Sequence, residues 1–283
     1  MAAAEVGDDV FGDDPTVNTL QDQVAELLDF DAGLFAASGT QANLLALLTH
    51  CGRGEEYLVG QTAHTYRYEA GGAAALGGIV PQPVEMKPDG TMDLDLLFSY
   101  IKPDDPHFAP ARLLALENTK DGRPLPADYV GEAQNRARER GLSLHLDGAR
   151  LWNAAVADGV PPAAIAAGFD SVSVCLSKGL GAPVGSVLVG TADFIDRARR
   201  WRKMVGGGMR QAGVIAAGGI HAIDHHIDRL ADDHANAERL ADGLAPLDGL
   251  TVLGHATNMV FVGLDDIAPA RLGAALADRG IRI

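Results

Sequence analysis

Of the five lysines in this 283-residue chain, Lys178 is the one whose setting suits an amine to chemistry. It follows Ser171-Val172-Ser173-Val174-Cys175-Leu176-Ser177, which reads as a buried strand. It precedes Gly179-Leu180-Gly181-Ala182-Pro183-Val184-Gly185, a turn able to approach a ligand closely. Burial at a strand end strips water from an ammonium and favours the neutral amine, the form that attacks an aldehyde to give a Schiff base. Lys87 and Lys102 each precede a proline in polar surroundings and read as solvated loop residues. A plain surface lysine at a strand end is the competing explanation for Lys178, and its own window does not choose.

Two further segments bear on that choice. Leu142-Ser143-Leu144-His145-Leu146 reads as a strand, and Asp147-Gly148-Ala149-Arg150 follows it. Ligands of open α/β sheets bind beyond the carboxyl ends of strands, which is where Asp147 falls. An acid there suits pyridoxal phosphate (PLP), because a protonated pyridine ring is the better electron sink. Asp147 also suits a helix N-cap. Ser38-Gly39-Thr40 opens a helix whose free N–H groups and dipole would receive a phosphate, with Gly39 allowing close approach. Taken alone, Ser and Thr at that place are ordinary caps. A phosphate cradle, an acid and a lysine in this chain order make a joint signal for PLP.

The elements that must hold these residues alternate along the chain. Helical spacing of apolar residues runs from Val17 to Phe30, with Asp14-Pro15 as a start signal, and again from Leu44 to Thr49 and Tyr129 to Arg140. Leu34 to Ala37 forms a short apolar run. Residues 57–59, 79–80, 113–116, 142–146, 171–176 and 186–189 read as strands. This alternation predicts an α/β fold whose sheet is largely parallel and covered on both faces. Gln211 to Leu244 predicts a long helical tract broken near Asp228. Strands at 251–253 and 259–262 and a helix from Pro269 to Arg279 follow, so residues 1–228 are expected to form a large domain and 229–283 part of a smaller one. The ending Ile281-Arg282-Ile283 looks like the start of a strand, cutting that domain short.

A formal net charge of −15 argues against nucleic acid or an anionic membrane as partner, since both need a positive field. The basic stretch Arg197 to Lys203 reads largely as a solvated helix face. Cys51 and Cys175 suit reduced thiols of a cytoplasmic protein. The first residues have no signal-peptide pattern, and no apolar run approaches membrane-spanning length. His221, His225, His226 and His234 cluster without the Glu of an H-E-x-x-H pattern, so no metal site is expected.

The chain resembles the L-threonine aldolases, a family of the aspartate-aminotransferase-like fold group, over essentially its whole length. The likeness is carried by residues 6–16 (VGDDVFGDDPT), 38–43 (SGTQAN), 145–150 (HLDGAR), 177–185 (SKGLGAPVG) and 201–211 (WRKMVGGGMRQ), the last block being especially specific. The resemblance implies a three-layer, mostly parallel PLP-transferase fold with a smaller C-terminal α/β domain. It implies that Lys178 carries PLP, that Asp147 meets the ring nitrogen, and that Gly39 and Thr40 hold the phosphate. His64 would stack on the ring and move a proton, although a core histidine is the bland alternative. Arg150 would bind near the cofactor's phenolic oxygen and the substrate carboxylate. His107 would sit by the substrate's β-hydroxyl, or serve merely as a loop residue. Lys203 and Arg210 would reach a cofactor site in a neighbouring subunit of a homotetramer.

The implied reaction is retro-aldol cleavage of L-threonine or L-allo-threonine to glycine and acetaldehyde, the substrate being a small β-hydroxy amino acid. Rivals are a β-eliminating lyase or aminotransferase of the same fold group and a non-catalytic PLP-binding fragment. Family members carry an Arg-Ser-Asp-Thr stretch ahead of this start and a carboxylate-binding arginine beyond this end. The expectation is therefore either a fragment or weakened substrate binding.

Overall fold

The computed structural model describes residues 1–265 and 268–283. A short 3₁₀ turn at Asp9–Phe11 leads into helix α1 (Pro15–Leu28), capped by Asp14, whose carboxylate accepts from Thr16 and Val17 N–H. Strand β1 (Ala32–Ala36) and helix α2 (Gly39–His50) follow. Next come β2 (Glu56–Gly60), the short helices α3 (His64–Arg67) and α4 (Gly72–Gly77), β3 (Val80–Val84) and α5 (Leu94–Ser99). The middle of the chain runs β4 (Ala111–Glu117), α6 (Ala127–Arg138), β5 (Ser143–Gly148), α7 (Leu151–Asp158) and α8 (Pro162–Ala166). After β6 (Ser171–Cys175) and β7 (Ser186–Gly190) come α9 (Ala192–Met204), α10 (Gly213–His226) and α11 (Leu230–Leu244). The chain closes with β8 (Leu250–Ala256), β9 (Met259–Leu264) and α12 (Pro269–Ala277).

Seven strands form one sheet in the order β1-β7-β6-β5-β4-β2-β3. Pairings from β3 through β6 are parallel, and β7 runs against both of its neighbours. The expected strand at 79–80 is the start of β3, which continues through Pro81 and Pro83. Proline survives there because β3 is an edge strand with no outer ladder to feed.

Alternation sorts the strand side chains onto two faces. Phe35, Leu58, Leu114, Leu146, Val172 and Val187 join one core with α1 and α10. On the opposite face Tyr57, Val59, Leu113 and Ala115 meet Leu47 and Leu48 of α2, while Leu34 and Leu188 meet α2 and α9. These helices cover both faces and make three layers. The odd positions of β5 and β6, among them His145, Asp147, Ser171 and Ser173, share the α2 side. Polar side chains are thereby delivered beneath one helix.

The long helical tract breaks between His226 and Leu230, where the sequence predicts a break near Asp228. Beyond it α11 packs on the antiparallel hairpin β8–β9. Among the described residues no helix is long and apolar enough to cross a membrane.

Candidate active site

The carboxyl ends of β5 and β6 and the amino ends of α2 and α3 converge on a cleft of about 160 Å³. Gly39, Thr40, Asn43, His64, Asp147, Ala149, Cys175, Ser177 and Lys178 line it. Five of the residues expected from sequence (Lys178, Asp147, His64, Gly39 and Thr40) therefore share one cleft.

The local sequence explains the cradle. Ser38 caps α2, its hydroxyl accepting from Gln41 N–H at 3.2 Å, while Ala42 N–H bonds to Ser38 O. The N–H groups of Gly39 and Thr40 have no acceptor among the described residues and stand at the positive end of a twelve-residue helix. A Cβ on Gly39 would lie 2.8 Å from Cys175 Sγ, so only glycine brings this helix end so close to β6.

Asp147 is 2% exposed. Its Oδ2 accepts from Asn43 Nδ2 at 2.8 Å and its Oδ1 from Ala149 N–H at 3.1 Å. His64 opens α3, with its main-chain N–H donating to Glu117 Oε2 at 2.8 Å. Its Nδ1 lies 2.9 Å from Glu69 Oε1. That hydrogen bond lifts the imidazole above its ordinary value of 6.5, with help from the Asp147 charge. Burial raises the Glu69 carboxyl, and burial together with the Asp147 charge pushes Glu117 up to about 7. Lys178 forms no salt bridge among the described residues.

This donor set fits PLP. Two free main-chain N–H groups match a phosphate, a buried carboxylate matches a ring nitrogen, and an unpaired amine lines the same cleft as an aldehyde would. One oxygen or nitrogen from each of His64, Glu69 and Asp147 falls within 4.8 Å of the others, a spacing a cation could use. Asn43 Nδ2 occupies that role instead, 2.8 Å from both carboxylates, and an N–H donor repels a cation.

Arg150 stands at the mouth of α7 and lines an adjoining cavity of about 850 Å³ with Asp233, Asn258 and Arg282. Its buried Nε has no partner. Ala149 lines the first cleft and Arg150 the second, so consecutive residues serve the two.

Besides Arg150, three expected residues lie outside this cleft. His107 lies four residues ahead of β4, at the amino end of the strand whose carboxyl end carries Glu117. Its side chain is 85% exposed and paired with Asp105. Within one chain the seven residues of β4 separate it from the cleft. Lys203 is exposed beside Arg199 and Arg200, and Arg210 pairs with Asp8 at 2.6 Å. Nor is the Arg197–Lys203 face wholly solvated: Arg202 turns inward to Asp9 at 2.8 Å.

Asn43, Glu69, Glu117 and His145 escaped the sequence reading. Glu117 had a signal, since it ends β4 as Asp147 ends β5. Asn43 sits one turn below Gly39 and shares its helix face. Glu69 lies in an irregular segment after α3 and had none.

In three dimensions the chain superposes on threonine aldolase from Leishmania major with a TM-score of 0.80, over 98% of this chain and 80% of that one at 22% identity. An aminotransferase from Streptoalloteichus hindustanus gives 0.66 over 99% and 78% at 18% identity. Both are likenesses of fold. A family model described as beta-eliminating lyase matches residues 1–267. The molecule is thus a PLP-dependent enzyme built on the aminotransferase-like α/β fold.

The low specificity L-threonine aldolase of Escherichia coli K12 is 55% identical over 283 residues, all of this chain and 85% of that protein. Its Saccharomyces cerevisiae namesake is 39% identical over 266 residues, 92% of this chain and 68% of the yeast protein. The chain belongs to the L-threonine aldolase family of carbon–carbon lyases.

Proposed function

We propose that the protein cleaves L-threonine and L-allo-threonine between Cα and Cβ, giving glycine and acetaldehyde. The observation that carries this reading is the single cleft shared by Lys178, Asp147, His64 and the free N–H groups of Gly39 and Thr40. The extent of identity to low specificity L-threonine aldolases supports it.

Lys178 is assigned as the residue that binds PLP covalently, Asp147 as the partner of the ring nitrogen, and Gly39 and Thr40 as the phosphate cradle. Bound PLP supplies an electron sink for the pair released when the Cα–Cβ bond breaks. Arg150 holds the substrate carboxylate and so sets which bond at Cα breaks. His64, lining the same cleft, would lie against the ring of bound PLP. Its Nδ1 is committed to Glu69, which leaves Nε2 to take the β-hydroxyl proton as the carbonyl of acetaldehyde forms. Glu69 orients the imidazole and stabilises its charge once that proton has moved. The proton taken from the β-hydroxyl balances the one that Cα gains in place of Cβ, and glycine leaves.

The assembly reading is a homotetramer in which Lys203 and Arg210, turned away from their own cleft, reach a neighbouring subunit's cofactor. The chain is read as a large domain over residues 1–228 and a smaller one over 229–283, divided at the break between α10 and α11. Buried free thiols at Cys51 and Cys175 support a cytoplasmic setting.

Elimination is the second reading, favoured by the description of the matching family model. Product analysis decides. With PLP and either threonine isomer, glycine and acetaldehyde in equal amounts are expected, and an oxo acid with ammonia would contradict the aldolase reading.

A further inference from the structure

Asn43 sits beneath the proposed site, 1% exposed, with every hydrogen-bonding capacity of its amide used. Chemistry fixes which way the amide faces. Ser173 Oγ, at 2.6 Å, donates to Oδ1, as does His145 Nε2 at 3.2 Å. Glu69 Oε1 and Asp147 Oδ2, each at 2.8 Å from Nδ2, are acceptors. A flipped amide would set its oxygen against two carboxylates and its N–H₂ against two donors.

The support behind it is directional as well. His145 gives its Nε2 proton to Asn43, so its neutral Nδ1 accepts from Ser171 Oγ at 2.8 Å, and Ser171 in turn accepts from His50 Nε2 at 2.8 Å. Burial pushes both imidazoles down to about 3, so they stay neutral and this backing holds its orientation across the working pH range. The strand pattern put His145, Ser171 and Ser173 on the α2 side, one turn below the cradle.

We propose that Asn43 is a positioning residue, whose one amide nitrogen ties the ring-nitrogen acid Asp147 to the Glu69–His64 pair and so fixes the orientation of both. The proposal deepens the aldolase reading and rests on it for the roles of Asp147 and His64. Each amide hydrogen stabilises one ionised carboxylate. Without Asn43, Glu69 gains a proton more easily, and His64 loses the anion that supports its charge. Other groups facing His64 are Asp147, Lys178 and, through the main-chain N–H, Glu117. Facing Glu69 are His64, Asp147 and the Tyr57 hydroxyl. Among these only Lys178 and Tyr57 carry side-chain donors besides the imidazole; Lys178 is paired with neither carboxylate among the described residues, and the Tyr57 hydroxyl donates to Thr65 O.

The test uses the full chain with labelled histidines. The His64 titration is followed by NMR without cofactor, and PLP affinity is measured by absorbance for the same samples. In Asn43→Ala the His64 midpoint should fall toward that of free imidazole, and PLP affinity should fall on the order of ten- to a hundredfold, the range for one hydrogen bond to a charged group. Asn43→Ser keeps one hydroxyl donor and should show a smaller fall in both, serving alone if the alanine variant does not fold. In a Glu69→Gln background, replacing Asn43 should no longer move His64. An unmoved His64 midpoint in a folded Asn43 variant would overturn the proposal, even with PLP affinity reduced. Failure of the unsubstituted chain to bind PLP would sink the aldolase reading alone, since the cofactor-free titration still reports on Asn43.

Discussion

The main-chain N–H of His64 donates to Glu117 Oε2 at 2.8 Å, joining the first residue of α3 to the carboxyl end of β4. Burial and the nearby Asp147 charge push Glu117 up to about 7 from its ordinary 4.5. The folded chain therefore binds a proton more tightly than the unfolded one. The associated stabilisation is complete below about 4.5 and is lost as pH rises through about 7. Glu117→Gln keeps an acceptor for His64 and removes the charge. Denaturant melts at several pH values should show the variant gaining on the parent between those limits, on the order of 1–3 kcal/mol by pH 8. A constant difference across pH would contradict this ionisation.

Arg202 and Asp9 form a pair 2.8 Å apart, with side chains 3% and 1% exposed. Burial lowers the arginine and raises the aspartate, so each charge depends on the other. Arg202 also donates to Phe35 O at 2.8 Å, tying α9 to β1. Arg202→Met leaves Asp9 charged and alone, and should cost about 3–5 kcal/mol in urea denaturation. Adding Asp9→Leu should recover most of that loss, because replacing both members removes the buried charge.

Gly39 approaches Cys175 so closely that a methyl group at that position must displace the sulfur. Gly39→Ala should weaken PLP binding at least tenfold by tilting the first turn of α2 away from its ligand, about the effect of losing one charged hydrogen bond. Cys175→Ala in that background makes room and should return part of the affinity. Equal weakening with and without the second change would show that the methyl acts on the phosphate rather than on β6.

Much of this was legible in the sequence. Lys178, Asp147 and the Ser38–Thr40 cap each fall at an element end, and element ends follow from local patterning. The block Leu142–Leu146 and its aspartate were read nearly as they stand in β5. The sense of β7 was not legible, because a tight return after Lys178 reverses a strand whose composition resembles its parallel neighbours. Asn43 was invisible as a hub, since its partners lie 26 to 130 residues away and only the sheet order brings them together. His107 lies ahead of the amino end of β4, apart from the chain's own cleft, and nothing in its loop told of that placement.

Every role assigned in the cleft depends on Lys178 carrying the cofactor, and borohydride reduction reads that bond. Protein incubated with PLP, treated with borohydride and digested should carry the reduced cofactor on the peptide containing Lys178, with the label lost in Lys178→Ala. A labelled peptide from any other lysine, or none, would contradict the assignment on which the site is built.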